Sequence, residues 1–117
     1  MIENFGLGVD IVDINRFRNI PYEEKTSFYN KIFNKNEIKY CLKFKDPYTH
    51  FAGKFAIKEA VIKSISKKEN FINIITDHNN DKPTAIISGK KEYRFLISVS
   101  HEKNYAMAMV IAEKISC

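Results

Sequence analysis

The stretch Gly6-Leu7-Gly8-Val9-Asp10-Ile11-Val12-Asp13 (GLGVDIVD) decides the fold. Two glycines beside two aspartates fit either a nucleotide-binding loop or a strand that delivers a carboxylate. A dinucleotide fingerprint requires G-x-G-x-x-G between a strand and a helix. Ile11 stands where the third glycine would be, and no Gly-Lys-Ser/Thr phosphate loop follows. Residues 4–12 instead alternate, with Phe5, Leu7, Val9 and Ile11 on one face and Gly6, Gly8, Asp10 and Val12 on the other. A period of two predicts a strand. Glycines inside a strand mark a close approach on their face, and Asp10 shares that face. Asp13 then suits a helix N-cap, with Ile14, Phe17 and Ile20 at helical spacing behind it.

Two short helices are expected at 22–33 and 36–44, and residues 48–67 (YTHFAGKFAIKEAVIKSISK) carry the strongest helical signal. β-like runs follow at 71–76, 83–88, 93–100 and 105–112, with turns at DHNNDK and HEKN. A strand, then helices, then a meander of strands predicts an α+β fold with a mainly antiparallel sheet. A length of 117 residues, without linker, repeat or low-complexity run, predicts one domain over 1–117.

The apolar content of 44% excludes a disordered chain, and no 18-residue apolar run predicts a membrane span. The N-terminus lacks the basic-then-apolar pattern of a signal peptide. Cys41 and Cys117 have no metal or redox spacing, so a reduced, cytoplasmic location is expected. A net charge of +5 favours an anionic partner of some kind.

On a helical wheel, residues 51–65 are apolar nearly all round, which predicts burial on most sides. One sheet covers one side, and a second subunit is expected to cover the rest. The charged residues Lys54, Lys58, Glu59 and Lys63 interrupt this helix. Glu59 and Lys63 have the spacing of a surface ion pair, a bland reading that the carboxylate at Asp10 weighs against.

G-L-G-V-D-I-V, then F-A-G-K-F-A-I-K-E-A-V-I-K, then I-S-V-S-H-E-K-N-Y-A together resemble the holo-acyl-carrier-protein synthase family, the small 4′-phosphopantetheinyl transferases. The resemblance runs over essentially the whole chain. It implies transfer of the 4′-phosphopantetheine arm of coenzyme A to a serine of apo-acyl carrier protein, with release of adenosine 3′,5′-bisphosphate. It implies the transferase fold, Mg²⁺ or Mn²⁺, and homotrimers with active sites at subunit interfaces. Position by position, it implies that Asp10 and Glu59 are metal carboxylates and Lys63 the lysine at the reacting phosphate. Phe55 and Lys58 would line the coenzyme A site, and Ser100 and His101 would reach the cofactor from a neighbouring subunit. Arg16, with Arg18 and Ile20, would dock the acidic carrier protein. This chain departs from the family at Lys54, where arginine is frequent, and at Ser66–Asn70, which lacks the usual glycine. Lys67 and Lys68 are then candidates to supply charge there.

The residues suit that chemistry. Mg²⁺ takes one or two carboxylates and keeps positions for phosphates. Glu59, or a water it orients, would accept the serine proton. His50 and His78 are expected to be structural or solvated, and Tyr40, Phe44 and Tyr48 to be packing residues. Two alternatives are a metal-dependent nucleotide hydrolase with the same carboxylates and a small basic nucleic-acid-binding domain. The second leaves Asp10 and Glu59 unexplained, since carboxylates repel phosphate.

Overall fold

A computed structural model describes residues 2–115; Cys117 lies outside the described residues. β1 (Phe5–Asp13) leads into the one-turn helix α1 (Asn15–Arg18). The expected 22–33 helix is broken, into a 3₁₀ turn (Tyr22–Glu24) and α2 (Thr26–Ile32). α3 (Lys35–Leu42) and the 19-residue α4 (Pro47–Ile65) follow. The rest is β2 (Ile74–Asn79), β3 (Lys82–Ile87), β4 (Tyr93–His101) and β5 (Tyr105–Lys114).

The strands form two antiparallel sheets, β1-β5-β4 and β2-β3, rather than one meander. The first strand pairs with the last, Gly8 opposite Val110 and Asp10 opposite Ala108. Asn80 and Asp81 both take positive φ, the geometry of a tight hairpin turn, and residues of this type tolerate it. DHNNDK is therefore mostly strand, with His78 in β2 and only its centre turning; His101 likewise ends β4 rather than opening a turn.

α4 starts where Asp46 accepts the Tyr48 N–H at 3.2 Å and Pro47 occupies the first helical turn, where a missing N–H costs nothing. It ends at Ser66, whose φ of 54° fills the left-handed position that glycine usually takes. The glycine-free loop after the helix thus begins with a serine doing glycine's conformational task. Asp46 also anchors α1, accepting from Arg18 Nη2 at 2.8 Å. Burial alone would raise the Asp46 carboxyl, but Arg18, the Tyr48 amide and the Thr49 hydroxyl outweigh it and hold it below its ordinary value.

The inner face of the three-stranded sheet packs on α4. Gly8 is the contact point: a Cβ there would lie 1.9 Å from the Ala60 carbonyl oxygen and 2.9 Å from the Ser64 nitrogen. β5 meets the same helix with Ala106, Ala108, Val110 and Ala112, all buried. Small residues therefore bring strand and helix backbones close together.

One sequence expectation is corrected here. The all-round apolar helix is covered within the chain: α3, the aromatic cluster of Phe17, Tyr29, Phe33 and Phe51, and β2 close the sides that the sheet leaves open. The apolar surplus lies on the outer face of the sheet instead. Leu7 is 66% exposed, Ile11 63% and Leu96 72%, with Phe5, Val9, Met107, Met109 and Ile111 around them. The alternation in β1 thus has its hydrophobic side outward and its glycine side inward.

Gly8→Ala is expected to destabilise the fold by about 1–3 kcal/mol or more, because backbone rather than a movable side chain blocks the new methyl. Gly53→Ala, whose Cβ would meet nothing closer than Val99 Cγ2 at 3.8 Å, should stabilise by about 0.5–1 kcal/mol. Chemical denaturation of both variants checks the pair. Asp46→Asn keeps a capping oxygen but loses the ion pair, so wild type should exceed it by up to about 1 kcal/mol at neutral pH. A depressed carboxyl stabilises above its unfolded value and loses that stabilisation on acidification. The gap should close as pH falls below about 3.9, the ordinary aspartate value, which melting curves across pH would reveal.

Candidate active site

Asp10 reaches the helix side of the sheet because it alternates with Gly8 and Val12. Lys63, in the last turn of α4, donates to Asp10 Oδ1 at 3.1 Å and to the Val9 carbonyl at 3.0 Å. The i,i+4 geometry with Glu59 is available, yet Lys63 turns to the strand. Asp10 is the better partner: its side chain is only 14% exposed, and a carbonyl beside it accepts a second proton.

Glu59 lies one turn earlier on α4, half-buried and, among the described residues, without a hydrogen-bond partner. Burial pushes its carboxyl up, and the negative charge of Asp10 pushes the same way, while Lys63 and Arg16 pull it down. The Arg16 guanidinium sits 5.4 Å from the centre of the Phe55 ring. Two carboxylates and two cations therefore meet where β1, α1 and α4 converge. No group of three or more His, Cys, Asp or Glu suited to a metal exists among the described residues. Two carboxylates alone suit a hard ion such as Mg²⁺, which draws its other ligands from water and phosphates.

Apart from Arg16 and the Phe55 ring beneath it, the structure separates the other predicted site residues from this cluster. Lys58 does not line an open site. Its side chain is wholly buried and donates to Glu37 Oε1 at 2.8 Å and to the carbonyls of Ile32 and Phe71 at 2.7 and 3.0 Å, which uses all three protons. Glu37 also accepts from the Asn34 amide and from both the amide and the hydroxyl of Thr76. Removing one partner of such a buried pair costs about 3–5 kcal/mol. This network was legible only in part: Asn34-x-x-Glu37 is a capping box, whereas the Lys58 contact joins distant segments. Phe55 is buried against Phe17 and Phe71. Arg18 is held by Asp46, and Ile20 is half-buried with its carbonyl accepting from the Tyr29 hydroxyl.

Ser100 and His101 end β4, beyond β5 from Asp10. The register Ser100–Met107–Ile11 sets Ser100 on the outer face, and His101–Ala106–Val12 sets His101 on the inner one. His101 joins a small cavity of about 70 Å³ with Tyr40, His50, Lys54, Asp77 and His78. His50 stacks on Phe44 at 3.6 Å. Burial lowers the His50 imidazole, and His101 adds to that. Lys54 is buried and donates to the Thr76 hydroxyl at 3.0 Å. The three histidines of the chain thus share one cleft, although nothing in their spacing links them.

A profile of the 4′-phosphopantetheinyl transferase superfamily matches residues 6–110. A holo-[acyl-carrier-protein] synthase of Thermodesulfovibrio yellowstonii is 42% identical over 114 residues, covering 95% of this chain and 98% of that protein. One of Chlamydia muridarum is 39% identical, covering 93% and 94%. Among solved structures, a holo-(acyl-carrier-protein) synthase of Bacillus anthracis in complex with CoA (3′,5′-ADP) is 28% identical with a TM-score of 0.81, covering 93% of this chain and 96% of that one. The Helicobacter pylori enzyme in complex with coenzyme A is 27% identical, with a TM-score of 0.81 and coverage of 92% and 99%. With the family match over residues 6–110, relatives of the same name over nearly the whole chain and the shared fold, the chain belongs to the 4′-phosphopantetheinyl transferase superfamily and, within it, to the holo-[acyl-carrier-protein] synthase family.

Proposed function

We propose that this protein transfers the 4′-phosphopantetheine arm of coenzyme A to a serine hydroxyl of apo-acyl carrier protein and releases adenosine 3′,5′-bisphosphate. The observation that carries the reading is the Asp10–Lys63–Glu59 cluster, set beside the close backbone approach of β1 and α4 at Gly8. Relatives over nearly the whole length carry the same enzyme name, and two similar structures hold coenzyme A or its nucleotide.

The serine oxygen forms a bond to the β-phosphorus, the bond from that phosphorus to the bridging oxygen breaks, and the electron pair leaves with the adenosine bisphosphate. Such transfers depend on positioning and on neutralising phosphate charge. Asp10 and Glu59 would hold Mg²⁺, or Mn²⁺, which when bound polarises the pyrophosphate oxygens. Lys63 donates protons at the mouth of the site and steadies charge as it gathers on the phosphate. Glu59 accepts the serine proton directly or through a water that it orients. Phe55 walls this end of the helix.

The outer face of the β1-β5-β4 sheet is where further copies of the chain would pack, as a homotrimer. Monomers rarely expose an apolar patch of this extent. Ser100 lies on that face and would meet a neighbouring copy there, whereas His101 lies on the inner face of its own sheet. A reducing, cytoplasmic setting suits the buried Cys41 thiol, which burial raises to about 12.

Glu59→Gln should lower turnover at least 100-fold, and Asp10→Asn should lower it and raise the Mg²⁺ concentration for half-maximal rate. Mass spectrometry of apo-acyl carrier protein incubated with coenzyme A, Mg²⁺ and each variant reads both. Near-normal transfer by both would sink the site assignment, and adenosine bisphosphate released without carrier protein would favour the hydrolase. Sedimentation of wild type at micromolar concentration should give a trimer and Leu7→Asp a smaller species. A monomeric wild type overturns the assembly.

A further inference from the structure

Two lysines lie to either side of Glu59 on α4, and they are bonded in opposite ways. Lys58 is sealed from water, and three acceptors take its three protons at 2.7, 2.8 and 3.0 Å. Lys63 has two acceptors, the Val9 carbonyl at 3.0 Å and Asp10 Oδ1 at 3.1 Å, and its side chain is 51% exposed. Both distances are long for an ammonium, whose bonds to a carboxylate usually measure about 2.7–2.9 Å. Asp10 is the fixed member of the pair. Its side chain is 14% exposed, and its strand is held against α4 at Gly8. Lys63 is the movable member. A flexible four-carbon stem carries its charge, and it borders an open cavity of about 450 Å³ shared with Phe5, Gly6, Ser64 and Ser66.

Charge sets the terms of the contact. Asp10 and Glu59 bring two negative charges, and Lys63 and Arg16 bring two positive ones, so the cluster balances. A divalent ion on the two carboxylates adds two more positive charges. Like charges a few ångströms apart repel strongly where protein replaces part of the water. Of the two cations, Lys63 is the one bonded to Asp10, whereas Arg16 lies over the Phe55 ring.

We propose that the Lys63 ammonium and a divalent cation are alternative partners of the Asp10 carboxylate, so that Lys63 swings from the strand into the cavity beside it when the ion binds and returns when the ion leaves. The inference rests on the reading of Asp10 and Glu59 as the metal carboxylates. It gives Lys63 two positions with two tasks. Against Asp10, it keeps a partly buried pair of carboxylates in charge balance. Turned out, it stands at the mouth of the site, where phosphate charge gathers. The contrast with Lys58 argues against a permanent structural pair. A lysine built to stay is buried and has three acceptors, and Lys63 is half in water with two.

The probe is Mn²⁺ alone, without coenzyme A or carrier protein, and electron paramagnetic resonance of the unbound ion reads its affinity. Lys63→Met keeps the length of the side chain and removes the charge. It should bind Mn²⁺ about five- to tenfold more tightly than wild type, as expected when a half-exposed charged competitor is lost. Arg16→Met removes a cation from the same cluster without touching Asp10, and should change the affinity by about twofold or less. An unchanged or weaker affinity in Lys63→Met overturns the exchange, and so does equal tightening in both variants, which would reduce the effect to net charge. A second measurement uses the wild-type protein. The ¹³Cε–¹Hε resonance of Lys63, assigned by its absence from Lys63→Met, should move to the position of a solvated lysine as Mg²⁺ saturates the site. A resonance that does not move at saturation means that the ammonium stays on Asp10, and the exchange is wrong. Asp10→Asn separates that failure from failure of the metal reading. If Asp10→Asn binds Mn²⁺ as tightly as wild type, or if none of these proteins binds it, Asp10 is not a metal carboxylate and both readings fall. If binding needs Asp10 but ignores Lys63, only the exchange falls.

Discussion

Everything in this molecule depends on how closely β1 approaches α4. Gly8 has no side chain, and the Ala60 carbonyl occupies the space where one would be. The contact fixes the strand against the helix to within the tolerance of backbone atoms, which cannot swing aside as a side chain can. Asp10 is two residues from Gly8 on the same face, and Lys63 is one turn beyond Ala60. Their 3.1 Å contact follows from that geometry. A larger residue at position 8 would lift the strand and carry the carboxylate away from the helix.

A second constraint holds the other flank of α4. Lys58 and Glu37 are both out of water, and each is satisfied by several partners from different segments. A buried charge left without partners would cost far more than the pair contributes, so α2, α3, β2 and the 71–73 turn must all be in place together. The helix is thus held on one side by shape and on the other by charge. Glu59, between them, has no hydrogen-bond partner among the described residues, and burial with Asp10 nearby pushes its carboxyl up.

Much of the fold could be read from local pattern. The period of two at 4–12, the helical run at 48–67 and the last three strands appear within a residue or two of where they were expected, while the strand expected at 71–76 begins only at Ile74, after a 3₁₀ turn over Phe71–Asn73. The 22–33 helix is broken at Lys25, whose non-helical φ of −137° and ψ of 41° separate the 3₁₀ turn after Pro21 from α2. Sheet topology was less legible, because the pairing of β1 with β5 joins the two ends of the chain. The site residues Asp10, Glu59 and Lys63 were named from sequence, yet their partners were not. The Lys63–Glu59 spacing allowed a pair, and only the folded strand offered Lys63 a better one.

Sequence alone determined most of the elements, their order and the family, and it singled out Asp10 and Glu59 as candidate carboxylates, because periodicity, caps and motifs are properties of neighbouring residues. Tertiary structure alone decided which face of β1 is buried, where the apolar surplus lies, that Lys58 is sealed while Lys35, Lys39 and Lys43 are exposed, and that three scattered histidines share a cleft. Those outcomes turn on competition among distant groups for burial and for hydrogen-bond partners. That competition is settled only when the whole chain is packed.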